Sequence, residues 1–182
     1  MTRLLIAICV AVLAAMPAVA REARPDGLAP IAKLVGDWTG VSEGEPGTAA
    51  TTRHATRAQN DHFVFVEGRS VYPKQEKNKS GEIHTQLDVW SYDKQRKLIV
   101  LRQFDSLGFA STYVEDKVAS TNGKLVLVSE HLENVPATLK ARYTFEFKGA
   151  DEYHELFELN EGDKGFQAYV AGRFLRNPPA PR

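Results

Sequence analysis

The chain has 182 residues, of which 43% are hydrophobic and 25% charged, and its 23 Lys and Arg residues balance 23 Asp and Glu residues. This balance argues against nucleic-acid binding and membrane-surface binding, because both normally need a basic excess or a basic stripe. The single cysteine, Cys9, excludes a disulfide within the chain, and the length suffices to bury a core without one.

Residues 1–20 have the composition of a secretory signal peptide. Arg3 is an early cation, residues 4–15 form an unbroken apolar run, and Ala18 and Ala20 are the small residues of a cleavage site. A membrane-spanning helix needs about 20 apolar residues, and this run is shorter. We therefore predict cleavage after Ala20, no stable membrane insertion, and a secreted protein of a bacterial periplasm. Cys9 would leave with the signal peptide.

The mature chain begins with a polar segment, residues 21–27, which we interpret as a flexible lead-in to a single domain over residues 28–182. At the start of this domain, Leu28, Ile31 and Leu34 recur at helical spacing, which predicts one short helix within residues 28–35.

After Gly36 the hydrophobic pattern changes to a period of two, typical of strands with one buried face. The clearest example is residues 139–148, where apolar and polar side chains alternate throughout. Such segments are separated by hairpin-length turns, and we predict strands at 37–42, 51–57, 62–72, 82–92, 97–104, 109–115, 124–130, 140–147, 152–159 and 166–175.

This pattern predicts an all-β fold: an antiparallel, up-and-down β-barrel of about ten strands with one short N-terminal helix. Closure into a barrel removes the exposed strand edges of such a meander, and a two-sheet sandwich is the alternative. Ten strands would leave an interior wide enough for a small ligand.

Three groups of motifs carry a family resemblance. They are Gly36-Asp37-Trp38-Thr39-Gly40 with residues 44–47, residues 133–136 with 141–144, and residues 151–159 with Phe166, Tyr169, Arg173 and Arg176. In these the chain resembles the calycin superfamily of lipocalin-like and fatty-acid-binding-protein-like barrels, and within it small secreted bacterial barrels related to nitrobindin. The resemblance implies that Trp38 plugs the barrel floor, that Gly36 and Gly40 belong to the same signature, and that Arg173 or Arg176 packs on Trp38.

The likeness to nitrobindin also implies heme, held by a histidine of the C-terminal strands. The last predicted strand has no histidine, and His154 lies one strand earlier between Glu152 and Glu158, a pattern typical of an exposed face. Tyr169 is a second conceivable iron ligand. We therefore expect no cofactor and no metal site, and heme on His154 is the alternative.

No nucleophile elbow or phosphate-binding loop stands out in the sequence. Carboxylate pairs such as Glu155 and Glu158 are expected on an exposed strand, and a triad that combines His84, Asp88 and a serine stays open. We expect a protein that binds rather than catalyses.

The candidate ligand contacts are residues that we expect inside the barrel. Arg102 interrupts an apolar strand; inside, it would bind a carboxylate or phosphate, and otherwise it marks the strand end and points to solvent. The aromatic candidates are Tyr113, Tyr143, Phe145, Phe63 and Trp90. We predict binding of a small hydrophobic, lipid-like ligand. The alternatives are a heme-binding barrel and a ligand-free protein-interaction module, and the oligomeric state stays open.

Overall fold

The structure, a computed structural model, describes residues 27–162 and 164–178. The predicted signal peptide, and all of the lead-in except Gly27, lie outside this part of the chain. Within it, no helix is long and apolar enough to cross a membrane. The ten strands are β1 (Gly36–Gly44), β2 (Gly47–Ala58), β3 (Phe63–Tyr72), β4 (Glu82–Asp93), β5 (Leu98–Asp105), β6 (Ala110–Glu115), β7 (Lys124–Leu132), β8 (Leu139–Phe147), β9 (Glu152–Glu161) and β10 (Gln167–Arg176).

The strands form one closed antiparallel barrel. Each strand pairs with the next, and β10 closes the ring by pairing with β1 from Trp38↔Arg176 to Gly44↔Val170. The prediction of an antiparallel up-and-down barrel is confirmed, and the alternative two-sheet sandwich is wrong. The largest difference between the predicted and the observed strand bounds is at the start of β2, which lies four residues before the predicted position. Its first residues are Gly, Thr and Ala, whose small side chains give little hydrophobic signal.

Alternate side chains of each strand point into the barrel. On β8, Ala141, Tyr143 and Phe145 are buried, and the residues between them are more exposed. On β3, Val64 is buried inside, so its neighbour Phe63 lies on the outer face. The prediction that Phe63 lies inside the barrel is therefore wrong: both faces of β3 are partly apolar, so the alternating pattern does not indicate which face is buried.

The predicted short helix is only a 3₁₀ turn, Ala32–Leu34, preceded by hydrogen-bonded turn residues. Pro30 cannot donate a backbone hydrogen bond, and so short a segment gains little from helical nucleation. Leu28, Ile31 and Leu34 nevertheless are buried in the core, as their spacing predicted. The turn therefore covers one end of the barrel, called the closed end below.

Trp38 and Arg176 join the turn to the barrel at the closed end. The Arg176 guanidinium lies 4.1 Å from the Trp38 ring centroid and donates to the carbonyl oxygens of Val35 (2.7 Å) and Lys33 (2.8 Å). Trp38 Nε1 donates to Leu34 O at 2.7 Å. Three carbonyl groups at the end of the turn are thus satisfied by two side chains of the barrel.

Of the two arginines predicted to pack on Trp38, Arg176 does so and Arg173 does not. Its neighbour Phe174 points inward, so Arg173 lies on the outer face, where it pairs with Glu152 at 2.8 Å. Gly36 makes room for Arg176: its φ of 127° favours glycine, and a Cβ would collide with the guanidinium. Gly40 lies opposite Phe174 in the β1–β10 ladder.

Replacing Arg176 by Met tests the contact at the closed end. The variant loses the stacking on Trp38 and leaves backbone carbonyls without donors, so we expect a loss of about 2 kcal/mol in unfolding free energy. Arg173→Met is the matched control and removes one exposed ion pair, with an expected loss under about 1 kcal/mol. Urea unfolding measures both, and equal losses would contradict the assignment.

A second pair of variants tests which strand faces are inside. Phe145→Ala empties space in the core and should lower the unfolding free energy by about 3–5 kcal/mol. Phe63→Ala, on the outer face, should lower it by about 1 kcal/mol or less. Thermal or urea unfolding gives the comparison, and a larger effect at Phe63 would show that the face assignment of β3 is wrong.

Candidate functional site

The interior is filled at the closed end and hollow at the other. A cavity of about 310 Å³ occupies the end remote from the 3₁₀ turn and opens between the β1–β2, β5–β6 and β7–β8 connections, where Pro46, Leu107 and Val135 line it. Three larger depressions, of about 900, 850 and 720 Å³, are more open to solvent: the first two lie mainly along the outer faces of the strands, and the third lies beside the 3₁₀ turn. The interior cavity is therefore the better enclosure for a small molecule.

Apolar side chains from several strands and loops surround the entrance. They come from the hairpin connections and from the inward positions at the open ends of the strands: Leu107, Phe109, Leu132, Val135, Leu139, Leu159 and Val170. An apolar entrance favours ligands with a hydrophobic part.

Buried charges lie further inside. Arg53 of β2 is 7% exposed, and its Nη2 lies 3.7 Å from Oε1 of Glu155 of β9, a side chain 14% exposed. Asp88 of β4 is also buried and is near enough to influence the pKa of both. Arg53 Nη1 has no hydrogen-bond partner and packs against Gly68, where a Cβ would collide with it.

Burial is the largest single influence on the pKa of each of these three groups. Removal from water raises the pKa of Glu155 and that of Asp88, and the positive charge of Arg53 opposes both shifts. Burial also disfavours the charged form of Arg53, but the carboxylates, Glu155 first, raise its pKa overall. Two carboxyl groups therefore share one cation in a site largely withdrawn from water.

The two carboxyl groups differ in their hydrogen bonds. Asp88 accepts from Gln103 Nε2 at 3.0 Å and from Gln86 Nε2 at 3.1 Å. Tyr143 Oη donates to Gln103 Oε1 at 3.3 Å, which extends this network to β8. Among the residues that the structure describes, no donor makes a hydrogen bond to Glu155, so its oxygens are available to a ligand.

A row of hydroxyl groups follows the wall of the cavity. Ser42 Oγ lies 3.1 Å from Thr51 Oγ1, which in turn lies 3.0 Å from Ser70 Oγ. Across the β3–β4 ladder from Ser70 is His84, whose Nε2 lies 2.9 Å from Glu82 Oε2. These groups could form hydrogen bonds with a polar part of a ligand.

The possible triad of His84, Asp88 and a serine is not assembled. His84 and Asp88 both face inward on β4, but they are four residues apart, which is about 13 Å along a strand. Asp88 instead accepts from Gln86 and Gln103. Asp88 therefore does not orient His84, as the carboxylate of such a triad would have to do.

Four of the six predicted ligand-contact residues lie inside the barrel, but only two line the cavity. Tyr113 and Tyr143 line it, with ring centroids 5.1 Å apart in an edge-to-face arrangement. Burial raises the pKa of Tyr113 to about 12, so this phenol stays neutral at physiological pH. Trp90 and Phe145 pack edge to face at 5.2 Å in the buried core and do not line the cavity.

The other two lie outside the barrel. Arg102 is exposed and donates to Ser91 Oγ at 3.1 Å, because its neighbours Leu101 and Gln103 take the inward positions. The hypothesis that Arg102 anchors an anionic ligand inside is therefore wrong, and the alternative that it points to solvent is correct. Phe63 lies on the outer face of β3, as described above.

His154, the residue of the heme alternative, also lies on the outer face. Its Nε2 is 2.8 Å from Glu152 Oε1, and its neighbour Tyr153 takes the inward position. His154 therefore could not ligate iron inside the barrel. The cavity volume of about 310 Å³ lies at the lower end of the usual range for ligand pockets. Within the described residues, no three His, Cys, Asp or Glu side chains are grouped to hold a metal ion.

The sequence reasoning missed the buried charges, although a signal for them exists. Glu155 has the same parity on its strand as Tyr153 and Phe157, which predicts an inward position. Arg53 likewise has the parity of small, buried residues of β2 such as Ala49 and Ala55. The interpretation of Glu155 and Glu158 as one exposed pair was wrong for this reason: they lie on opposite faces.

Comparisons with known proteins address the fold. No protein-family model matches the chain, and the search of curated proteins gives no match. Among solved structures, the barrel is similar to Rv2717c from M. tuberculosis, with a TM-score of 0.59, 13% identity and coverage of 84% of this chain and 98% of that chain. Two weaker likenesses have 9% identity. EF1p2_mFAP2b bound to DFHBI has a TM-score of 0.41, with coverage of 81% of this chain and 97% of that chain. The redesigned β-barrel b11L5F_LGL has a TM-score of 0.40, with coverage of 81% of this chain and 94% of that chain. The chain thus shares an antiparallel barrel fold with Rv2717c, and this likeness concerns the fold alone.

Proposed function

We propose that this chain is a secreted, non-enzymatic binding protein that holds one small, partly hydrophobic molecule inside its barrel. The observation that carries the proposal is the cavity of about 310 Å³, with an apolar entrance and a polar inner end. A mostly apolar enclosure with a few placed polar groups is the usual form of a ligand site.

The buried charges support a role in binding. Burial raises the pKa of Asp88 and that of Glu155 despite the positive charge of Arg53, so the attraction offsets only part of the cost of removing these two carboxylates from water. In other proteins, hydrophobic residues of similar volume often replace a buried ion pair without loss of stability. Polar groups that lower stability inside a cavity are typical of sites retained for function.

The proposal includes a relationship to the calycin barrels and export to the periplasm. The ten-stranded meander, the turn that leads into β1, and the stacking of Arg176 on Trp38 support the relationship. The apolar run with Ala18 and Ala20 supports export.

Native mass spectrometry of the protein purified from periplasm is the first test. We expect a bound small molecule, and the polypeptide mass should correspond to cleavage after Ala20. Absorbance in the Soret region of the same sample examines heme. An empty, tightly packed barrel would favour the protein-interaction module and contradict the proposal, and a Soret band would replace it with heme binding.

Filling the cavity should abolish binding. Ser111 lines the cavity and Thr112, its neighbour on β6, pairs with the outward-facing Arg102. We expect Ser111→Phe to lose the copurifying ligand and Thr112→Phe to retain it. Native mass spectrometry detects the difference, and circular dichroism checks that both variants fold. Retention of the ligand by a folded Ser111→Phe variant would place the ligand elsewhere.

A further inference from the structure

We propose that the ligand is a small amphiphilic cation, with an ammonium group that binds the Glu155 carboxylate and an apolar body that extends towards the entrance. This inference rests on the proposed function and specifies the chemistry of its ligand.

The buried charges at the inner end of the cavity are unequal in number. One guanidinium, Arg53, faces two carboxyl groups, Asp88 and Glu155. Asp105 also lines the cavity, nearer its entrance. A cationic ligand would supply the missing positive charge and allow both inner carboxyl groups to be ionised, whereas an anionic ligand would add to the excess of carboxylates.

The buried polar atoms differ in whether a ligand in the cavity can reach them. Arg53 Nη1 lacks a hydrogen-bond partner, but it is sealed against Gly68 and has almost no accessible surface. Glu155 lines the cavity, keeps 14% of its side-chain surface accessible and accepts no hydrogen bond from the described residues. The atoms at the inner end that can still form a hydrogen bond with a ligand are therefore acceptors, and they match an N–H donor.

Aromatic rings form one wall of the cavity. Tyr143 lies between Tyr113, at 5.1 Å, and Phe157, at 4.5 Å, and Tyr169 lies 6.1 Å from Phe157. Ring faces attract organic cations, and the same rings offer apolar contact to an alkyl or aryl body. Leu139 and Leu159 continue this apolar surface towards the entrance.

Three probes of nearly the same shape separate these contributions: 4-phenylbutylamine, 4-phenylbutanol and 4-phenylbutyrate. Their binding is followed by chemical-shift changes of the Tyr113 and Tyr143 amides in the ligand-free protein. We expect the amine to bind at least about tenfold more tightly than the alcohol, the effect of one charge-assisted hydrogen bond. The carboxylate should bind more weakly than the alcohol.

Glu155→Gln removes the charge and keeps the side-chain shape, so the preference for the amine should fall to about twofold or less. Glu67→Gln, an exposed acidic residue on the outer face of β3, is the matched control and should keep the preference. The comparison of the three probes on the natural chain does not depend on either variant folding.

The outcomes separate this inference from the proposed function. If the three probes bind with equal affinity and Ser111→Phe abolishes binding, the cavity is a ligand site but the cation is wrong. Tighter binding of the alcohol or the carboxylate also overturns the inference. If none of the probes shifts the Tyr113 and Tyr143 resonances, both the inference and the use of this cavity are contradicted.

Discussion

Pairing of β10 with β1 is the constraint on which the rest of this structure depends. It closes the ring of strands, and alternate side chains then point into a bounded space that must be filled or left as a cavity. The contact of Arg176 with Trp38 seals one end, because the same guanidinium also holds the carbonyl groups of the preceding turn. Closure thus links the first and last elements of the domain.

The interior of a closed ten-stranded barrel is too wide for its inward side chains to fill along its whole length. The closed end is packed with large rings: Tyr153 stacks on Phe174 at 4.7 Å and meets Trp38 edge to face at 4.9 Å. The other end has smaller or more polar inward residues and stays hollow. Arg53 and Glu155 lie between the two, where the charges are withdrawn from water and still border the cavity. This combination is what makes the interior suitable for recognition as well as enclosure.

Binding inside such a barrel would compensate for features that lower its stability. Two carboxyl groups near one guanidinium have raised pKa values because burial opposes their ionisation. A ligand that brings a donor or a positive charge stabilises the folded state, and the stabilisation grows with the logarithm of its concentration relative to Kd. The cavity and the charges therefore support the same explanation, and the matched probes examine them separately.

The sequence by itself determined the strand order, the turns and the all-β class, because alternation and turn chemistry are local properties. The alternation along β9 also places Glu155 on the inward face, although Arg102 is the more conspicuous charge in an apolar strand. Only the tertiary structure decided which arginine stacks on Trp38 and which charges meet in the interior. Arg53, Asp88 and Glu155 come from β2, β4 and β9. Glu155 meets the other two because β10 closes on β1, a pairing between distant parts of the chain that no local pattern encodes.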